Sequence, residues 1–246
     1  MNINVNVAPD CKTLGERAAD RIAFYIAEAI KEKGHCRIIL STGSSQFETL
    51  DALVKKVFDW SKVEMFHPDE YVALPESHVA SFRKYLKERF VSKVKLHSAH
   101  FVSGEGDVEK NIEELSKLFK EAPIDVGVIG IGENGHVAFN DPPADFETDR
   151  IYKVVTLDER CRMQQVGEGW FKTLADVPEK AITMCPKAIL SSKHIVTAVP
   201  HKVKAEAIYN TITRSVTPEV PATILKTHPD WNLFIDTDSA AKLFSI

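Results

Sequence analysis

A chain of 246 residues, 44% hydrophobic and 27% charged, has the balance of a globular protein and enough length to bury a substantial core without staples. Its formal net charge of −4 argues against nucleic acid or an anionic membrane as main partner, yet leaves room for a local basic pocket facing a small anion. The four cysteines, Cys11, Cys36, Cys161 and Cys185, lie far apart without zinc-ligand spacing and no apolar run reaches bilayer length, so free thiols and a cytoplasmic location are expected.

In chain order, residues 1–7 alternate polar and apolar like an edge strand. Thr13-Leu14-Gly15-Glu16 has the form of a capping box, with Ala18, Ile22, Ile26 and Ala29 following at helical spacing and Gly34 as a stop. Arg37-Ile38-Ile39-Leu40 is strand-like and runs into a hydroxyl-rich turn, Ser41-Thr42-Gly43-Ser44-Ser45. Ser45-Gln46-Phe47-Glu48 suggests a second capping box, opening a helix that buries Phe47, Leu50, Val54 and Val57. Such a turn can present N–H groups and hydroxyls to an anion, or can be no more than a capped tight turn.

Val63-Glu64-Met65-Phe66 is the next strand and delivers His67-Pro68-Asp69-Glu70-Tyr71 into a loop. Helices are expected over 81–90, 108–120 and 158–166, and strands over 126–129, 151–155, 181–184 and 194–199. After Pro200-His201-Lys202 a helix should carry Lys204 in its first turn, and 221–226 should form a short helix. A last strand is expected over 232–235 and a closing helix over 239–244. Strands alternating with helices define an α/β fold, a mainly parallel sheet covered on both faces, in one domain spanning 1–246.

The chemistry gathers after the strand at Val126. Gly130-Ile131-Gly132-Glu133-Asn134-Gly135 matches the dinucleotide-binding glycine pattern, whose mechanism needs a helix beginning at the last glycine. Asn140-Asp141-Pro142-Pro143 leaves no room for that helix, so a nicotinamide cofactor is set aside and none is expected. In a parallel sheet the carboxyl ends of strands share one edge, so four loops can converge there. They would bring an anion cradle (Ser41, Thr42, Gly43, Ser44, Ser45), a cation (Lys204), two carboxylates (Asp69, Asp141) and an imidazole (His136). No metal-ligand spacing and no nucleophile elbow accompany them.

A cradle plus a lysine suits a phosphate ester. A carboxylate base set apart from a histidine suits proton abstraction beside a carbonyl, the step that interconverts aldose and ketose, with the histidine moving protons during ring opening. His136 alone reads more readily as a structural histidine; Asp141 close behind it reverses that preference in favour of a catalytic pairing.

At this point the motifs resemble the glucosamine-6-phosphate deaminase (isomerase) family. The matching pieces are Leu40-Ser41-Thr42-Gly43, Asp69-Glu70-Tyr71-Val72, the run from Gly130 through Asn134, His136 and Asp141 to Pro142, Lys204, and Thr227-His228-Pro229. The resemblance implies a Rossmann-like three-layer fold and conversion of D-glucosamine 6-phosphate and water to D-fructose 6-phosphate and ammonia, without a metal. It implies Asp69 as the base at C2, His136 as the ring-opening group with Asn134 and Asp141 in support, and Ser41, Gly43, Ser44 and Lys204 at the phosphate. Three departures stand out: Asp141 occupies a position where many relatives carry the longer glutamate, Asn134 one where some relatives carry an aspartate able to take a proton, and the lid region around Arg162 has no clear counterpart of the family's phosphate-binding arginine. Galactosamine 6-phosphate as substrate, a 6-phosphogluconolactonase-like hydrolase and a non-catalytic sugar-phosphate sensor remain alternatives, and both monomer and homo-oligomer stay open. Tyr71 and Phe139-Asn140-Asp141-Pro142 favour the deaminase over the hydrolase.

Overall fold

The computed structural model describes residues 3–243, which leaves Met1 and Asn2 of the expected first strand and Phe244 of the expected closing helix outside the described residues. Helix α1 (Cys11–Lys33) starts directly after Asp10, whose carboxylate accepts the Thr13 N–H at 2.7 Å. The capping box expected at Thr13 therefore lies inside the helix, because an extended aspartate three residues earlier supplies the acceptor. Ala18, Ile22, Ile26 and Ala29 are buried as their spacing requires, and Gly34 closes the helix at φ 80°.

The strands are β1 (Asn4–Ala8), β2 (Cys36–Leu40), β3 (Val63–Phe66), β4 (Asp69–Tyr71), β5 (Ser98–His100), β6 (Val126–Ile129), β7 (Tyr152–Thr156), β8 (Lys180–Met184), β9 (His194–Val199) and β10 (Trp231–Asp236). The further helices are α2 (Phe47–Leu53), α3 (Phe82–Arg89), α4 (Val108–Lys120), α5 (Glu159–Gly167), α6 (Pro186–Leu190) and α7 (Ala205–Thr213). A seven-stranded sheet runs in the order β1-β10-β9-β6-β2-β3-β5 with every pairing parallel.

Because side chains alternate along a strand, one apolar strand feeds two cores. Ile38 and Leu40 of β2 and Val126 and Val128 of β6 pack with Ala18, Ile22, Leu50 and Leu86 from α1, α2 and α3. Ile39, Ile129, Ile195 and Val199 pack instead with Leu115, Phe119, Ile189 and Ile208 from α4, α6 and α7. This is the expected α/β sandwich of three layers, each fully buried aliphatic side chain contributing roughly 1.5–3 kcal/mol.

The structure corrects the sequence reading in several places. The segments of 151–155 and 181–184 are strands, but they leave the parallel sheet and form a second, antiparallel one in the order β4-β8-β7. Asp69 thus belongs to a strand and not to a loop; Pro68 interrupts the path from β3, and its carbonyl accepts the Met184 N–H at 2.7 Å. Ser45 does not cap α2: it lies in the 3-10 turn Ser44–Gln46, where its hydroxyl accepts from Gln46 Nε2 at 3.2 Å. The helix ends at Leu53, which leaves Val57, expected inside, 99% exposed. At the C-terminal end the chain makes only a 3-10 turn, Ala241–Leu243. Strand β5 and helix α6 were not anticipated, both being too short for a periodic signal.

Candidate active site

Strand order reverses at the centre of the sheet. From β2 the chain moves outward to β3 and β5, then returns to place β6 on the other side of β2. Diverging connections leave a crevice outside the carboxyl ends of those two strands. The Ser41 N–H donates to the Val128 carbonyl at 3.0 Å and ties the turn after β2 to β6. Gly43, at φ 102°, then bends the chain back in a conformation that favours glycine. The Ser41 hydroxyl is buried without a hydrogen-bond partner in this ligand-free structure.

Lys204 reaches the same crevice from β9. His201 sits at φ 80°, and its N–H donates to both carboxylate oxygens of Asp236 at 3.0 and 3.2 Å. That clamp sets the 3-10 turn Lys202–Lys204 and buries the Lys204 side chain. Burial lowers the Lys204 pKa, opposed by the charges of Glu168 and Glu133.

The acidic pair in Asp69-Glu70 divides its labour. Glu70 turns to the start of α3, accepting from the Ser81 hydroxyl at 2.8 Å, the Arg83 N–H at 3.0 Å and Arg83 Nε at 3.2 Å. Asp69 faces the crevice, 7% exposed, and burial followed by the Glu70 charge pushes its pKa up to about 8.

His136 comes from the loop after β6. A Cβ added at Gly132 would fall 2.2 Å from His136 Nε2, so the glycine that mimics a dinucleotide motif is needed to seat the imidazole. The Asn134 carboxamide accepts the His136 N–H at 3.0 Å and donates to Asp141 Oδ1 at 3.1 Å. His136 Nδ1 stands 3.1 Å from that same oxygen. Burial pushes the Asp141 pKa up, but the His136 imidazole beside it, the Asn134 amide and the Asp158 N–H outweigh it and hold the carboxyl below its ordinary range. Aspartate therefore reaches the imidazole without the extra methylene of glutamate.

Ser41, Thr42, Gly43, Ser44, Ser45, Asp69, His136 and Lys204 line one cavity of about 70 Å³. Asn134 and Asp141 stand behind His136 and hold it without forming the wall. The Thr227-His228-Pro229 piece lies elsewhere: His228 Nε2 is 2.7 Å from the Ser192 carbonyl, just before β9 begins. His136, Asp141 and Cys161 each offer one ligand-type atom within 4.8 Å of the others and could hold a cation. Burial, then the Asp141 charge, raises the Cys161 pKa well above its usual range, so the sulfur remains a thiol.

The sequence reading missed the wall built by α5. Gln164, Gln165 and Glu168 close the cavity opposite the cradle. Glu168 Oε2 accepts from the Ser44 hydroxyl at 3.0 Å and from Trp170 Nε1 at 3.1 Å, while Oε1 accepts from Gln164 Nε2 at 2.7 Å. Three polar side chains within five residues, beside the buried Cys161, were the available signal. Arg162 is not a pocket arginine; its guanidinium donates to the Leu174 and Val177 carbonyls and pins the following loop.

Together these features define an α/β protein with a polar crevice at the switch point of a parallel sheet. Residues 9–233 match the family of glucosamine-6-phosphate isomerases/6-phosphogluconolactonase, and the chain belongs to that family. The glucosamine-6-phosphate deaminase of Staphylococcus epidermidis is 35% identical over 232 residues, covering 89% of this chain and 93% of its own. That of Clostridioides difficile is 34% identical over 249 residues, covering 98% and 97%. A solved monomeric glucosamine-6-phosphate deaminase superposes with a TM-score of 0.88 at 28% identity, covering 97% of this chain and 99% of that one. The 6-phosphogluconolactonase of Thermotoga maritima shares the fold at TM-score 0.79 and 16% identity.

Proposed function

We propose that this protein is a glucosamine-6-phosphate deaminase, converting D-glucosamine 6-phosphate and water to D-fructose 6-phosphate and ammonia. The relatives of that name, at about one-third identity over nearly the whole chain, support the activity. The observation that carries it at the level of residues is that Asp69 of β4 and His136 of the loop after β6 line the same cavity as Ser44 and Lys204.

In this reading the hydroxyl turn and Lys204 hold the phosphate. His136, kept in register by Asp141 and Asn134, shuttles the proton between the anomeric hydroxyl and the ring oxygen, and the aldehyde opens. Asp69 takes the C2 proton of the open chain while the aldehyde oxygen takes one from the substrate's ammonium group, and an enolamine forms. Return of the proton to C1 leaves an imine at C2; water adds there and ammonia departs. A buried carboxyl whose pKa lies near neutrality is matched to taking and returning one proton.

A cytoplasmic location goes with this reading; among the described residues no helix is long and apolar enough to cross a membrane, and the four cysteines are free thiols. The test is ammonia release from the 6-phosphates of glucosamine and galactosamine, beside acid release from 6-phosphogluconolactone. Release from the gluco amino sugar is expected; acid release alone overturns the reading in favour of the hydrolase.

A further inference from the structure

Two residues before the proposed base lies a histidine that the reaction as written does not use. His67 is 0% exposed, and neither ring nitrogen has a hydrogen-bond partner. Its ring rests edge-on against Phe82 and Phe101, and the Tyr152 hydroxyl donates to its backbone carbonyl at 2.9 Å. Its Nε2 faces Asp69 Oδ1 across 4.0 Å, and that carboxylate oxygen is itself buried without a partner. Two unsatisfied buried polar atoms looking at one another are costly apart and complementary together, about 1 Å short of a hydrogen bond.

We propose that His67 is the positioning residue of the base: a neutral imidazole whose Nε2–H donates to Asp69 Oδ1, turning Oδ2 toward the substrate and favouring the ionised carboxylate. This rests on the reading of Asp69 as the base.

The surroundings fix the protonation and the tautomer. Burial, then the Arg83 charge, lowers the His67 pKa to about 3, so the ring is neutral and carries one proton. That proton belongs on Nε2, because the acceptor lies on that side. Among the described residues no cation is paired with Asp69: Lys204 and His136 line the same cavity but form no ion pair with it. Glu70, on its own strand, is engaged by Arg83 of α3. Tyr71 beside it, Tyr152 of β7 and Cys161 of α5 all have raised pKa values, burial being the largest cause of each, and stay neutral. A donated hydrogen bond from His67 is thus the available means of bringing a strongly desolvated carboxyl back toward ionisation at working pH.

The experiment follows the Asp69 carboxyl by ¹³C NMR in the ligand-free protein, beside the pH profile of kcat, in wild type, His67→Phe, His67→Gln and His67→Asn. Phenylalanine keeps the ring volume and removes the donor; the glutamine amide nitrogen falls near Nε2 and the asparagine nitrogen near Nδ1. The Asp69 titration and the acid limb of kcat should move up by about one unit or more in His67→Phe and His67→Asn, with KM little changed. His67→Gln should restore both. Should the phenylalanine variant not fold, the glutamine and asparagine pair decides alone, and long-range ¹⁵N spectra of wild type should show a neutral ring protonated on Nε2 from pH 5 to 9. An Asp69 titration indifferent to all three substitutions, or a proton on Nδ1, overturns the proposal. Because the carboxyl titration needs no turnover, loss of the deaminase reading would leave this result standing on its own.

Discussion

The Ser44 hydroxyl donates to the Glu168 carboxylate at 3.0 Å, so the lid's own anion occupies a partner that the cradle would offer to phosphate. A bound dianion would meet Glu168 as a like charge. Removing that charge should therefore help anions in. Glu168→Gln should tighten inorganic phosphate binding about three- to tenfold, read by titration calorimetry; an unchanged or weaker affinity would mean that Glu168 contributes to ligand binding.

Asp141 accepts from Asn134 and its Oδ1 stands 3.1 Å from His136 Nδ1, which makes its charge the organiser of the imidazole. Asp141→Asn should lower kcat by about 10²–10⁴-fold with KM little altered, the deficit being largest when ring opening is required. Steady-state kinetics with freshly dissolved pyranose against equilibrated substrate would show whether the loss depends on ring form.

For Asp69 the sign of the pH effect can be worked out. Its folded pKa, near 8, lies above the value of about 3.9 in an unfolded chain, so the fold favours the protonated form. Stability from this group is complete below about pH 4 and is lost as pH rises through about 8. Asp69→Asn should thus raise the melting temperature by an increment that grows between pH 4 and 8 and levels off above, while C2 proton exchange in deuterium oxide disappears. Melting curves at pH 5, 7 and 9 check the first part; an increment that shrinks with pH refutes it.

The Lys204 ammonium is buried in the wall of the cavity, so its removal takes away a desolvated charge without opening the core. Lys204→Met should raise KM at least about tenfold for phosphorylated sugars. Its effect on weak binding of the unphosphorylated amino sugar should be slight; equal losses for both would detach Lys204 from the phosphate.

Gly132→Ala asks whether a glycine serves the imidazole. The new methyl carbon would lie within 2.2–2.4 Å of three His136 ring atoms, so the ring must move. A displacement of about 1 Å should lower kcat about a hundredfold in a protein that still folds cooperatively. Full activity would show that the ring can be seated another way.

Much of this molecule is written locally. Apolar runs such as Arg37-Ile38-Ile39-Leu40 and Val126-Gly127-Val128-Ile129 can only be strands buried on both sides, and the spacing of Ala18, Ile22, Ile26 and Ala29 can only serve one helix face. Hydroxyl turn, carboxylates, imidazole and lysine were legible because each follows an apolar run, where a parallel sheet exposes its strand ends. Residue types at short spacing determined those elements and their ligand-type chemistry.

Contacts between distant segments decided the rest. Nothing near Asp69-Glu70-Tyr71 says that these residues pair with Thr183, Ile182 and Ala181 in a separate antiparallel sheet, since strand partners are chosen across more than a hundred residues. The two neighbouring acids look equivalent in sequence; only the packing of α3 gives Glu70 to Arg83 and leaves Asp69 buried and unpaired. The same holds for Glu168, whose meeting with Ser44 depends on how α5 folds over the crevice. Hydrophobic periodicity is a property of adjacent residues, whereas burial, hydrogen-bond partners and shifted pKa values belong to whatever the tertiary fold brings alongside.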